Sequence, residues 1–162
     1  MKSLTPEIID ALSSQITWER QNHDIYKQVR RYLEALNWPG FAHWFARRAY
    51  SEMGDADEIC DYLLKRREAP VYDDVPAPDV PYSENILDYV QSGLAREEAT
   101  TARLMEIHAL VQDDPTALEF ILDMLKGQED DERRFYDAVQ EIARAGDDAA
   151  LLMLDHDYQD KE

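Results

Sequence analysis

The sequence predicts an all-α fold, an antiparallel four-helix bundle with one long crossover and a short fifth helix at the C-terminal end. Three observations predict it. Apolar residues recur at steps of three and four along four segments of about 26 to 30 residues. The connections are short except for one Pro-rich stretch, and no strand pattern or internal repeat stands out. A chain of 162 residues suits one core, so residues 1–162 are expected to form a single domain.

The composition excludes several classes of partner. The formal charge is −18, with 35 acidic and 17 basic residues, so phosphate-rich partners such as nucleic acids and anionic membranes would be repelled. No apolar run approaches the roughly 20 residues that span a bilayer. The single Cys60 cannot form an internal disulfide, and the N-terminus lacks a signal-peptide pattern, so a cytoplasmic location is expected. The charge fits cation binding, but it fits general solubility equally well.

Capping and helix-breaking residues mark the ends of the first helix and the start of the second. Thr5 is a good N-cap, Pro6 suits the first helical position, and Glu7 favours the positive end of the helix dipole. Residues 37–40 contain a proline and a glycine and break this helix. The second helix is predicted over residues 41–66.

The remaining connections differ in length. Residues 68–82 hold four prolines and are too long for a tight turn, so they are expected to run along the bundle in extended form. Residues 83–84 open the third helix, and residues 113–115 form a short turn into the fourth. The fourth helix ends at residues 145–147, and a short fifth helix follows over residues 148–158.

Each apolar stripe is interrupted near its middle by polar residues. They are Glu19 on the first helix, Glu52 and Asp55 on the second, Glu97 on the third, and Gln128 and Asp131 on the fourth. An inward carboxylate is costly unless it is paired or bound to a metal. Facing helices lie roughly 8–10 Å apart, so acids on four helices could meet around a pair of cations. Oxygen-rich ligation with little imidazole suits iron, manganese or other fairly hard cations.

The sequence also allows other acids to be the ones that face inward. Acidic residues are abundant, and a helix phase taken from sequence has a margin of one residue, so Glu98, Glu129, Asp130 or Glu132 could face inward instead. In that case the acids chosen above would be ordinary solvated residues. His23 fits a polar core or interface position better than a ligand position.

Three stretches carry a resemblance to a known family. They are WER at residues 18–20 followed by Tyr26, SEMGD at 51–55 followed by DYL at 61–63, and QEDDE at 128–132 followed by Phe135. In these stretches, and over nearly its whole length, the chain resembles bacterial-type non-haem ferritins, which are ferritin-like di-iron carboxylate proteins.

The resemblance implies a dinuclear iron centre that oxidises Fe²⁺. Its metal ligands would be Glu19, Glu52, Asp55, Glu97 and Asp131. Tyr26 and Gln128 would assist the reaction, with O₂ or H₂O₂ as oxidant. The ferric product would be stored as mineral inside a homo-oligomer, and the fifth helix resembles the segment at the four-fold axis of 24-subunit cages.

The chain departs from the family pattern at several positions. Asp55 replaces the histidine of the second-helix motif, and Asp131 is one methylene shorter than the usual glutamate. Ser51 replaces an acid, so a third iron site is not expected, and haem is not expected although Met53 stands where a haem ligand could be. Two alternatives therefore remain: a ferritin-like cage or scaffold subunit with a degraded or altered centre, and a ferritin-like di-metal oxidase with another substrate.

Overall fold

A computed structural model describes residues 3–161 and confirms the predicted fold class. The five helices are α1 (Pro6–Ala35), α2 (Pro39–Lys65), α3 (Ile86–Leu110), α4 (Pro115–Ala145) and α5 (Asp148–Tyr158). Residues 3–161 contain no strand. Helix α1 packs along α2, α3 packs along α4, α1 also contacts α3, and α5 rests on α2 and α4. No helix in this range is both long and apolar enough to cross a membrane.

The helix ends follow from local chemistry. As predicted, Thr5 caps α1, since its side chain accepts a hydrogen bond from the Ile8 amide at 3.3 Å. Helix α4 ends at Gly146, which has a left-handed φ of 73° that favours glycine. Two predicted starts were wrong by about two residues. Helix α2 already begins at Pro39, which needs no amide partner at a first position, and α3 begins only after Asn85 has capped it.

The crossover runs along the bundle, as its prolines predicted. Near one end of α1 the amide of Val71 donates to the Ser13 hydroxyl at 3.1 Å. Near the other end the Tyr32 hydroxyl donates to the carbonyl of Val80 at 3.2 Å. These two α1 positions are about 28 Å apart along the helix axis. The crossover therefore carries the chain along the bundle, and this allows α3 to begin at the far end.

Two apolar clusters fill the core, one on each side of a layer of buried polar side chains. We call this the polar layer, and it contains Glu19, Asn22, Glu52, Glu97, Gln128 and Asp131. The first is rich in aromatic side chains and includes Tyr26, Phe41, Trp44, Phe45, Phe135 and Tyr158. The second is mainly aliphatic and includes Leu12, Ile16, Ile59, Leu63, Ile107 and Ile121. The polar layer lies between these clusters at mid-height, so its side chains are held by close-packed neighbours above and below.

Candidate metal centre

Three glutamates from three helices form the centre of the polar layer. Glu19 on α1, Glu52 on α2 and Glu97 on α3 are 2%, 3% and 1% exposed. The adjacent Glu98 is exposed, so on α3 it is Glu97 that faces inward. Within residues 3–161 none of the three glutamates forms an ion pair with a basic side chain. Their charges are therefore not cancelled by contact with a cationic side chain.

Neutral donors hold Glu19 and Glu52. The Gln15 amide donates to Oε1 of Glu19 at 2.6 Å. The Asn22 amide nitrogen lies 3.4 Å from Oε2 of Glu19 and donates to Oε2 of Glu52 at 3.0 Å. Asn22 thus connects the carboxylates of α1 and α2, and it does so without adding charge.

Glu97 is held in the same way. The hydroxyl of the buried Tyr26 donates to its Oε1 in a short hydrogen bond. The amide of Gln128 donates to its Oε2 at 2.7 Å and to its backbone carbonyl at 3.2 Å. The structure thus brings together Tyr26, Gln128 and Glu97, which the resemblance had grouped.

The two aspartates lie in a different environment. Asp131 on α4 accepts from Arg134 at 2.8 Å and from Arg48 at 3.4 Å. Asp55 on α2 is half-buried, and its carboxylate makes no hydrogen bond or ion pair with another side chain of the described range.

The alternative acids of α4 lie elsewhere. Glu129 and Asp130 are exposed. Glu132 is half-buried, and its carboxylate is bound by the Thr101 hydroxyl. Among these neighbours Asp131 is therefore the acid that faces the polar layer.

Burial and mutual repulsion disfavour ionisation of these acids. Burial raises the pKa of Glu19 to about 7 and that of Glu97 to about 7, although hydrogen bonds from Gln15 and Tyr26 oppose the rise. Burial, followed by the charges of Glu97 and Glu19, raises the pKa of Glu52 well above its usual range. Burial, followed by the charge of Glu19, raises the pKa of Asp55 to about 8. A bound cation would remove the repulsion.

The acids do not yet converge on one point. Within residues 3–161, no three Asp, Glu, His or Cys side chains are arranged to hold one ion. The oxygens of Glu19, Glu52 and Glu97 instead accept hydrogen bonds from amide and phenol donors. The donor set nevertheless fits a hard cation, because it consists of buried carboxylates that lack cationic partners.

Sequence reasoning missed the supporting polar residues. It assigned His23 to a polar core or interface position and did not consider Asn22, but the structure buries Asn22 and leaves His23 half-buried beside Asp24. Asn22 lies three residues after Glu19 and four before Tyr26, a spacing as helical as that of His23. Arg48 lies four residues before Glu52, on the same face of the second helix, so its reach toward the polar layer could have been predicted.

Comparison with known proteins identifies the class. The fold and its buried acids define a ferritin-like bundle, and the sequence model described as a ferritin-like domain matches residues 9–145. The chain therefore belongs to the ferritin family.

Two curated relatives support this assignment. The bacterial non-heme ferritin of Staphylococcus saprophyticus is 28% identical over 153 residues, 93% of this chain and 91% of that protein. That of Bacteroides fragilis is 25% identical over 154 residues, 94% and 96% of the two chains.

Solved structures support the fold. An open pore ferritin of Archaeoglobus fulgidus superposes with a TM-score of 0.94 at 22% identity, over 99% of this chain and 100% of that chain. A humanized archaeal ferritin gives a TM-score of 0.94 at 23% identity, over 99% and 98%.

Proposed function

We propose that this protein oxidises Fe²⁺ to Fe³⁺ at the polar layer and stores the ferric product as mineral. One observation carries the proposal: Glu19, Glu52 and Glu97 are buried together without a basic partner in the described range. Burying carboxylates that repel one another is costly, and divalent cations would offset that cost. The matched relatives are named bacterial non-heme ferritins, which supports iron as the cation.

The residues would act in distinct ways. Glu19 and Glu97 would each bind one Fe²⁺, and Glu52 would bridge the two ions. Asp55 and Asp131 would complete the ligand set. Each iron loses one electron, and O₂ or H₂O₂ accepts both electrons with two protons, which gives H₂O₂ or two waters respectively.

Tyr26 and Gln128 would serve the same reaction. Both already donate to Glu97, so each can keep that carboxylate in place while iron is bound. Gln128 would also orient the oxidant or a water. Tyr26 would supply a hydrogen bond to the centre through Glu97.

The space beside the centre supports an inorganic substrate. A cavity of about 70 Å³ adjoins it, with acidic lining from Asp55, Glu58, Asp123 and Asp131. Organic ligands usually occupy roughly 300–1,000 Å³. The cavity therefore suits an ion, a water or a diatomic oxidant.

Storage would require a homo-oligomer. Tyr50, Leu152 and Met153 are 83%, 59% and 74% exposed in the single chain, and apolar surface of this kind fits burial against further copies. We expect a 24-subunit cage. Since one chain has a mass of 18.9 kDa, light scattering should give about 450 kDa. A monomer or dimer would contradict storage inside a cage.

The decisive experiment is anaerobic loading with Fe²⁺ followed by exposure to air, with ferric absorbance recorded over time. We expect rapid oxidation of about two irons per chain. Glu52→Ala and Glu97→Ala should abolish it, whereas Glu98→Ala should not, because Glu98 is the exposed neighbour of Glu97.

The opposite result would favour a second function. If wild-type protein oxidises iron no faster than buffer, the chain is a ferritin-like cage or scaffold subunit with an altered centre. The ion pairs of Asp131 with Arg48 and Arg134 favour this alternative, since they occupy one of the expected ligands.

A further inference from the structure

Each carboxylate oxygen of Glu19 faces its own amide donor. Gln15 donates to Oε1 at 2.6 Å, and the Asn22 nitrogen lies 3.4 Å from Oε2. Both amides belong to α1, one turn before and one turn after Glu19, and both are 0% exposed. The first helix therefore holds its own acid from two sides.

An arginine of α3 stands behind each amide. The Nε of Arg103 donates to Oε1 of Gln15 at 2.9 Å. The Nε of Arg96 donates to Oδ1 of Asn22 at 2.9 Å, and a second guanidinium nitrogen of Arg96 binds the same oxygen. A guanidinium can only donate hydrogen bonds, so each amide must direct its oxygen to the arginine and its NH₂ group to the carboxylates.

Trp18 anchors both arginines. The guanidinium carbons of Arg96 and Arg103 lie 3.7 and 4.7 Å from the centre of its ring, within the range of a cation–π contact. The indole Nε1 of Trp18 donates to the Thr100 hydroxyl at 2.8 Å, which fixes the ring. We call Gln15, Trp18, Asn22, Arg96 and Arg103 the arginine–amide clamp.

We infer that the arginine–amide clamp positions Glu19, and through Asn22 also Glu52, for cation binding. In this role Arg96 and Arg103 are positioning residues that act through Asn22 and Gln15. An amide stands between each arginine and Glu19, so the carboxylate is oriented without an ion pair that would compete with a metal. The inference rests on the proposed function, because it assumes that Glu19 and Glu52 bind cations.

The clamp and a simple charge effect predict opposite changes in cation affinity when Arg96 is lost. A positive charge near a cation site repels the cation, so loss of Arg96 should strengthen binding if charge alone matters. If Arg96 fixes Asn22, the same loss should weaken binding, because the amide can then turn away from Glu19 and Glu52. Changes in such supporting residues typically reduce metal affinity by about 10- to 100-fold.

The test is an equilibrium titration of the assembled protein with Co²⁺, which is followed by its visible absorption. The wild type is compared with Arg96→Gln, Asn22→Ala and the double variant. We expect each single change to weaken binding about tenfold and the double variant to match Asn22→Ala, because Arg96 acts through Asn22. Arg133→Gln, an exposed arginine of α4, measures the loss of charge alone and should leave affinity nearly unchanged.

Three outcomes are informative. Equal or tighter Co²⁺ binding by Arg96→Gln, or additive effects in the double variant, would overturn the clamp and leave the iron centre intact. If the Glu52→Ala variant binds Co²⁺ as tightly as the wild type, the metal lies elsewhere. That result would overturn the proposed function together with the clamp. If Arg96→Gln does not fold, Arg103→Gln tests the other arm, and affinity equal to wild type there would overturn the inference.

Discussion

The two sides of the polar layer handle buried charge differently. On the side of α1 and α3, Glu19 and Glu97 receive hydrogen bonds from amides and a phenol. On α4, by contrast, Asp131 is ion-paired directly with Arg48 of α2 and with Arg134. The first arrangement orients a carboxylate and leaves its charge available, whereas the second cancels the charge.

This difference shows that an acid at a family position is not automatically an available ligand. A neutral donor lowers the cost of burial without competing as a cation, while a guanidinium occupies the place of one. We therefore expect the three glutamates to dominate metal binding and Asp131 to contribute less. The following predictions test that ranking, from the largest expected effect to the smallest.

The largest contrast should appear between Glu97→Gln and Asp131→Asn, which are matched changes that keep side-chain size. Glu97→Gln should reduce the initial rate of Fe²⁺ oxidation by about 100-fold or more, and Asp131→Asn by about tenfold or less. Stopped-flow absorbance of ferric product measures both. Equal losses would mean that the two sides contribute equally.

The metal-free protein should lose stability as pH rises. The pKa of Glu19 and of Glu97 is raised from 4.5 to about 7 in the folded state, so between these values the folded state binds more protons than the unfolded state. This contribution is present below about pH 4.5 and is lost as pH rises to about 7. Each unit of pKa difference corresponds to about 1.4 kcal/mol.

We expect Tm to fall by about 10–20 °C between pH 5 and pH 8, which calorimetry can measure. The combined Glu19→Gln and Glu97→Gln changes should reduce this dependence, because two of the groups that release protons are then absent, while Glu52 and Asp55 remain. A Tm that rises over this range would show that the acids are stabilised as anions.

Substitution of two glycines by alanine should show that α3 is packed more tightly at Gly93 than α4 is at Gly127. A Cβ on Gly93 would lie 2.1 Å from the Phe135 ring, so Gly93→Ala should destabilise the fold by about 1–3 kcal/mol. A Cβ on Gly127 would meet nothing within 4 Å, so Gly127→Ala should stabilise helix α4 by up to about 1 kcal/mol. Urea unfolding measures both, and changes of the same sign would contradict the packing described.

The smallest effect should come from Arg48→Gln. Loss of this arginine frees Asp131 in part, since Arg134 remains bound to it. Co²⁺ binding should become about two- to fivefold tighter, because one positive charge is removed from the ligand while the Arg134 contact remains. Weaker binding would show that Arg48 orients Asp131, and the two sides would then differ less than proposed.

Local signals account for what could be predicted from sequence. Thr5 and residues 145–147 bounded helices because caps and glycines act on the nearest turn. The long Pro-rich stretch excluded a tight turn, so the crossover followed from its length and composition. The placement of Glu19, Glu52 and Glu97 in the core followed from helical periodicity.

By itself, then, the sequence determined an all-α bundle with one crossover and acids at mid-height. Only the tertiary structure decided that Asn22 rather than His23 faces those acids, because steps of three and four are both helical. It also decided that Arg96 reaches Asn22 and that Arg48 pairs with Asp131. Those partners lie 74 and 83 residues apart in the chain, so they meet only when separate helices pack together.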